Sequence, residues 1–152
     1  MITGRNGAGK TTLLNALAGA GTRTLPQTSD GLRTEVPVMD FFRSQVPVYV
    51  EDAERLLAGH QFGPDQWDAT VVSLSAGELR RLLLAVLVNS PERVLLLDEP
   101  TNFLDFDALD VVEEALRRYR GTVLFVTHDR YFAEAVGYTR SWHVADGKVA
   151  QS

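Results

Sequence analysis

An α/β fold, a mostly parallel sheet flanked by helices, is what three features of this 152-residue sequence predict. Two short apolar runs, Val94-Leu95-Leu96-Leu97 and Val123-Leu124-Phe125-Val126, end abruptly at polar residues: Asp98-Glu99-Pro100 after the first, Thr127-His128-Asp129 after the second. A strand covered on both faces reads as such a run rather than as an alternation. Between them lies an amphipathic stretch from Phe106 to Arg118, which makes the repeating unit strand, helix, strand. Near the start, Gly4-Arg5-Asn6-Gly7-Ala8-Gly9-Lys10-Thr11 fits G-x-x-x-x-G-K-[ST], with a scrap of strand before it and helix formers after it. The length sets one domain around one core.

Taken in order, Ile2 and Thr3 are the end of a strand, so short that they suggest a truncated chain or a fragment. Thr12 to Ala18 is a helix that Gly19 stops. Thr22 to Pro26 is extended, and a polar loop then runs to about Arg33. Val38 to Gln45 and Val50 to His60 form two amphipathic helices, the second with Ala53, Leu56 and Leu57 at helical spacing. Gly63-Pro64-Asp65 breaks the chain. Ser75 and Glu78 have the spacing of a capping box, and the apolar run Leu82 to Val88 behind them makes a helix buried on most sides. In the helix from Phe106 to Arg118, Leu109, Val112 and Leu116 share a face, acids come early and bases late, with Glu113/Arg117 and Glu114/Arg118 at i,i+4. The tail alternates from Ser141 to Ala145, turns at Asp146-Gly147 and returns through Lys148-Val149-Ala150, a small edge hairpin.

Composition narrows the function. Hydrophobic residues at 45% and charged residues at 23% place the chain among globular proteins and exclude wholesale disorder. A net charge of -5 gives no overall electrostatic grip on nucleic acid phosphates, although a local basic stripe is compatible with it. The sequence holds no cysteine, so disulfides, thiolate metal sites and a cysteine nucleophile are excluded together. With neither a membrane-spanning run nor a signal peptide, the expected location is cytoplasmic.

The glycine-rich segment carries the chemistry. Backbone N–H groups in such a turn point inward at a polyphosphate, because Gly4, Gly7 and Gly9 put no side chain in the way. Lys10 can then reach the outer phosphates, and the Thr11 hydroxyl can join the shell of a magnesium ion. Asp98 and Glu99 stand where an apolar strand leaves the core, the edge at which parallel sheets bind ligands. One acid there can hold magnesium through water while its neighbour deprotonates an attacking water; equally, acids there can cap the following helix. His128, at the end of the next strand, can donate to a terminal phosphate, or be a loop histidine beside an N-capping Asp129. His60, His143, Trp67 and Trp142 read as packing residues. Ser75 with Gly77 is either a plain helix start or an anion site at a helix N-terminus.

In order, GRNGAGKTT (Gly4 to Thr12), LPQ (Leu25 to Gln27), LSAGELRR (Leu74 to Arg81), LLLDEPTNFLD (Leu95 to Asp105) and FVTHDRYF (Phe125 to Phe132) closely resemble the nucleotide-binding domain of ATP-binding cassette proteins. The resemblance spans Ile2 to about Val149, and TNFLD with THDRYF is most like the ABC-F subfamily, soluble proteins that work with ribosomes. It implies a P-loop NTPase core with a small helical subdomain inserted at about residues 28–90, the whole a single truncated ATP-binding domain over residues 1–152. It implies ATP and magnesium as cofactors. Gly4, Asn6, Gly7, Ala8, Gly9, Lys10, Thr11 and Thr12 then bind phosphate; Thr11, Gln27 and Asp98 serve the metal; Glu99 is the general base, and Gln27 and His128 complete the catalytic set. Ser75 and Gly77 belong to a signature that acts on a nucleotide held by a second, facing cassette, and Asp105 lies in the loop linking the two sites.

Departures from the family pattern are Ala76 for the usual second signature glycine and Phe103 for a histidine common in the subfamily. The family's first strands, with their adenine-stacking aromatic, are absent. Only sixteen residues separate Lys10 from Gln27, so the antiparallel subdomain is largely missing. The leading expectation is an ABC-F-like ATPase acting with a second cassette, with the ribosome as a partner and a role in translation or antibiotic resistance. The alternatives are the ATP-binding subunit of a membrane transporter, and a module that holds nucleotide without turnover. In no case does the chain itself insert into a membrane.

Overall fold

The computed structural model describes residues 1–27 and 29–151, in two compact units. The first comprises Met1–Gln27, Glu92–Thr101 and Glu113–Ser152, the second Thr28–Pro91 and Asn102–Val112. Thr28, where the expected helical subdomain begins, lies outside the described residues.

The first unit holds one six-stranded sheet: β1 Ile2–Thr3, β2 Thr22–Leu25, β3 Val94–Asp98, β4 Thr122–Val126, β5 Trp142–Ala145 and β6 Lys148–Gln151, in the order β2-β3-β4-β1-β5-β6. Every pairing is parallel except β5 with β6, as the apolar runs foretold. The hairpin is only half an edge: β6 is the outer strand, while β5 lies inside, paired to β1 at Ile2↔Trp142 and Thr3↔His143. Two residues of β1 therefore sit between longer strands, and Ile2, 1% exposed, packs with Leu14, Leu96, Val126 and Val144 in the core. Helix α1, Lys10–Leu17, starts two residues earlier than its side chains suggest, because Gly9 takes a positive φ and its carbonyl accepts from Leu13. The sequence signalled α6, Arg130–Val136, only through its cap: Asp129 accepts from the Phe132 amide at 3.0 Å. Phe132 then lies edge-on to Phe125, centroids 5.9 Å apart.

The second unit is helical. Helices α2, Val38–Gln45, and α3, Val50–Gly59, lead to α4, Ala76–Asn89, in which Leu79 and the whole run Leu82 to Leu87 are buried, as an apolar run behind a capping box requires. The box is present: the Glu78 amide donates to Ser75 Oγ at 3.2 Å, and the Ser75 amide donates to Glu78 Oε2 at 2.9 Å. Helix α5, Phe106–Arg118, has the expected bounds and contributes to both units. Arg117 and Arg118 both reach Glu114, at 2.8 and 2.5 Å, so i,i+3 joins the i,i+4 contact that spacing alone suggested.

His60, just beyond α3, is a packing residue with a consequence. It is 7% exposed, its Nδ1 finds no partner among the described residues, and its Nε2 lies 3.4 Å from Asn89 Nδ2. Burial first, then the nearby Arg81 guanidinium, push its pKa from 6.5 down to about 4. Between those values the unfolded chain takes up a proton that the folded chain refuses. This stability is complete above pH 6.5 and is lost as pH falls through the folded value. The loss expected by about pH 4.5 is on the order of 2 kcal/mol. Urea midpoints measured near neutrality and at that pH should fall less steeply for His60→Leu than for the parent chain; parallel profiles would rule out His60 as the source.

Candidate functional site

The phosphate-type loop links β1 to α1 in the first unit, between Thr3 and Lys10. Gly4 is forced by close approach. Its φ is +142°, and a Cβ built there would stand 2.3 Å from the Val144 carbonyl oxygen of β5. Gly4→Ala should therefore cost about 2 kcal/mol or prevent folding, read as a drop in thermal midpoint; an unchanged midpoint would mean that the loop and β5 part easily. Asn6 and Gly7 are exposed, Ala8 is half-buried, and the Ala8 amide donates to Arg5 O at 3.1 Å. Lys10 is 8% exposed, and its ammonium donates to Gly4 O at 2.9 Å and Arg5 O at 3.1 Å, folded onto the loop it serves.

Thr11 Oγ1 donates to Asp98 Oδ2 at 2.6 Å, a contact between residues 87 positions apart that joins the start of α1 to the end of β3. Asp98 is 4% exposed. A hydroxyl and a carboxylate oxygen side by side are hard ligands suited to magnesium, which keeps waters and phosphate oxygens for its other positions.

Glu99 has a φ of +46°, uncommon for a side-chain-bearing residue. Its amide donates to Val126 O at 2.9 Å, which turns its carboxylate toward the end of β4. There the His128 amide donates to Glu99 Oε2, and His128 Nε2 lies opposite Glu99 Oε1, both at 3.3 Å. Glu99 is largely covered and His128 largely exposed. A cleft of 410 Å³ opens at His128, lined also by Thr3, Gly4, Lys10, Thr127, Asp129 and Arg130 among others. Thr127 and Arg130 on its wall fall within the THDRYF stretch, where the sequence pointed to His128 as a phosphate contact and Asp129 as a cap but gave these two no role. Gln27 is exposed two residues past β2, whose last residue Leu25 is level with Leu97. Thr12 is exposed on α1.

The other candidates assemble in the second unit. Ser75, Gly77, Glu78, Arg81, Phe103, Leu104, Asp105 and Ala108 line a recess of 90 Å³. Gly77 is forced by Phe103, whose carbonyl oxygen would be 2.7 Å from a Cβ there. Asp105 has a role that its motif hid: its carboxylate accepts from the Ala108 amide at 2.9 Å and caps α5. Phe103, 67% exposed, has a φ of +68°. Glu78 is held below the usual carboxylate range, first by the Ser75 amide and then by the Ser75 hydroxyl.

A glycine-rich turn between a parallel strand and a helix, with a threonine on a buried aspartate and a glutamate beside it, defines a P-loop nucleotide-binding domain. Residues 21–102 match the family described as ABC transporter, and the solved structure of an ATP-binding subunit of an ABC transporter shares the fold at a TM-score of 0.83 and 17% identity, over 99% of this chain and 76% of that one. More than half of the chain lies in that match, and the chain belongs to the ABC transporter family, as one of its ATP-binding domains. The Gly4 to Thr11 loop lies upstream of the matched residues and stands on its own geometry.

The branch it resembles is ABC-F. It is 36% identical over 152 residues to ATP-binding protein Uup of Buchnera aphidicola subsp. Schizaphis graminum (88% of this chain, 26% of that protein) and 34% identical over 163 residues to ABC transporter F family member 2 of Arabidopsis thaliana (96% and 24%). It is 37% identical over 147 residues to ribosome protection protein VmlR of Bacillus subtilis (88% and 27%). The chain thus spans about a quarter of the length of these relatives. No helix among the described residues is long and apolar enough to cross a membrane.

Proposed function

We propose that this domain hydrolyses ATP together with a second cassette, and that the assembled protein works on the ribosome. The observation that carries the catalytic part is the Thr11–Asp98 contact at 2.6 Å, with Lys10 adjoining Thr11 in the chain and Glu99, paired with His128, adjoining Asp98. Thr11, Asp98 and Gln27 are the residues that would hold a magnesium ion, which would supply charge neutralisation at the phosphates.

The loop amides of Gly4 to Thr11, with Asn6 and Ala8 among them, cradle the phosphates. Lys10 exchanges its two loop carbonyls for phosphate oxygens, and Thr12 extends the contact along α1. Glu99 accepts the proton of the attacking water through the carboxylate that now faces His128, and His128 donates to the terminal phosphate. Gln27 orients that water. Ser75, Gly77 and Asp105 serve a nucleotide held by the facing cassette. In this reading residues 28–90 are a helical subdomain inserted into the P-loop core, and the protein is cytoplasmic. Ribosome work is supported by the likeness to VmlR, a ribosome protection protein, whereas the likeness to a transporter subunit, at 17% identity, is one of fold.

Phosphate release by this chain mixed with a second cassette tests hydrolysis, and sedimentation with purified ribosomes in ATP tests the partner. Hydrolysis that needs both cassettes and co-sedimentation that needs ATP are the expected results. ATP bound but never turned over would favour the holding module. Hydrolysis without ribosome binding would leave the partner assignment wrong.

A further inference from the structure

We propose that Arg33 is a positioning residue that sets the orientation of Ser75, by holding the carbonyl end of the Leu74–Ser75 peptide. The inference rests on the reading of Ser75 as a nucleotide contact and adds a residue that no family motif in this sequence includes. Arg33 Nη1 donates to Leu74 O at 2.7 Å and to Val72 O at 3.1 Å. The N–H of the same peptide, at Ser75, donates to Glu78 Oε2 at 2.9 Å. A guanidinium therefore fixes one end of this peptide unit and a carboxylate the other, and charge-assisted bonds at both ends resist its rotation. The Ser75 side chain begins one bond away.

The arginine is itself held. The chain around it is joined to the approach of α4 by backbone bonds, Val72 N to Thr34 O at 2.9 Å and Val71 N to Val36 O at 3.0 Å. Arg80, 1% exposed on α4, reaches Ser29 Oγ at 3.4 Å, four residues before Arg33. Glu78 has a second anchor, since Gln66 Nε2 donates to its Oε1 at 3.0 Å. Ser75 thus stands at the junction of two supports, one from the loop that follows Gln27 and one from within the cap.

Amide hydrogen exchange on the 152-residue chain tests the geometry. Arg33→Ala should speed exchange at the Ser75 and Glu78 amides about tenfold while leaving Leu84, in the buried body of α4, unchanged; Arg33→Lys should recover part of the protection. Unchanged exchange at Ser75, or a rise shared along all of α4, overturns the proposal, the second outcome making Arg33 merely structural. Should Arg33→Ala fold poorly, Arg33→Lys alone decides by the same comparison. ATP-dependent pairing with a second cassette tests the consequence. Arg33→Ala and Ser75→Ala should each weaken it, and the double variant should be no worse than Ser75→Ala, because one acts through the other. Additive losses overturn the proposal. No effect of Ser75→Ala defeats the nucleotide reading of Ser75, and the exchange result still judges whether Arg33 holds the peptide.

Discussion

Glu99→Gln lowers turnover by roughly 100-fold or more in the two-cassette assembly while ATP still binds. The substitution keeps the size of the side chain. It also keeps the backbone turn, which depends on the Glu99 amide bonded to Val126 O rather than on the carboxylate. What it removes is the proton acceptor. Lys10, Thr11 and Asp98, which bear the phosphate and metal contacts in the proposed function, are untouched, so affinity and turnover should separate. Equilibrium titration with magnesium ATP gives the first quantity and single-turnover phosphate release the second. Turnover at the parent rate would move the base to another group, and lost binding would mean that Glu99 serves the nucleotide's ground state.

Lys10→Ala should weaken triphosphate binding by about 2–3 kcal/mol, or roughly 100-fold, the worth of charge-assisted bonds in a sheltered site. Its ammonium is buried, and among the described residues its hydrogen-bond partners are two neutral loop carbonyls, so a phosphate oxygen offers it a full counter-charge that Gly4 O and Arg5 O do not. Calorimetric titration with ATP checks the number. A melting midpoint for the variant separates lost affinity from a collapsed loop, since the same two carbonyls lose their donor. Equal affinity in parent and variant, with the fold intact, would refute the phosphate role of this loop.

Much of the fold was legible because its signals are local. The run Val94 to Leu97 stops at Asp98 as a buried strand should, α5 keeps the bounds its periodicity gave, and Ser75 with Glu78 forms the box that their spacing encodes. The start of α1 and the helix α6 were less legible. In each case a backbone event, the positive φ at Gly9 and the Asp129 cap, decides the boundary rather than a side-chain pattern.

By itself the sequence determined the phosphate-type loop, the acids at a strand end, the capped start of α4 and, through the order of its motifs, the family. These follow from neighbours along the chain, through glycine's freedom from a Cβ, apolar periodicity and capping spacing. Only the tertiary structure decided that two residues of β1 lie between β4 and β5, that Thr11 meets Asp98, that Glu99 faces His128 and that Arg33 holds the Leu74 carbonyl. Backbone pairing in a sheet is chemically the same for every sequence, so strand order follows from how all the apolar faces are buried together. Contacts between residues dozens of positions apart exist only once that burial is complete.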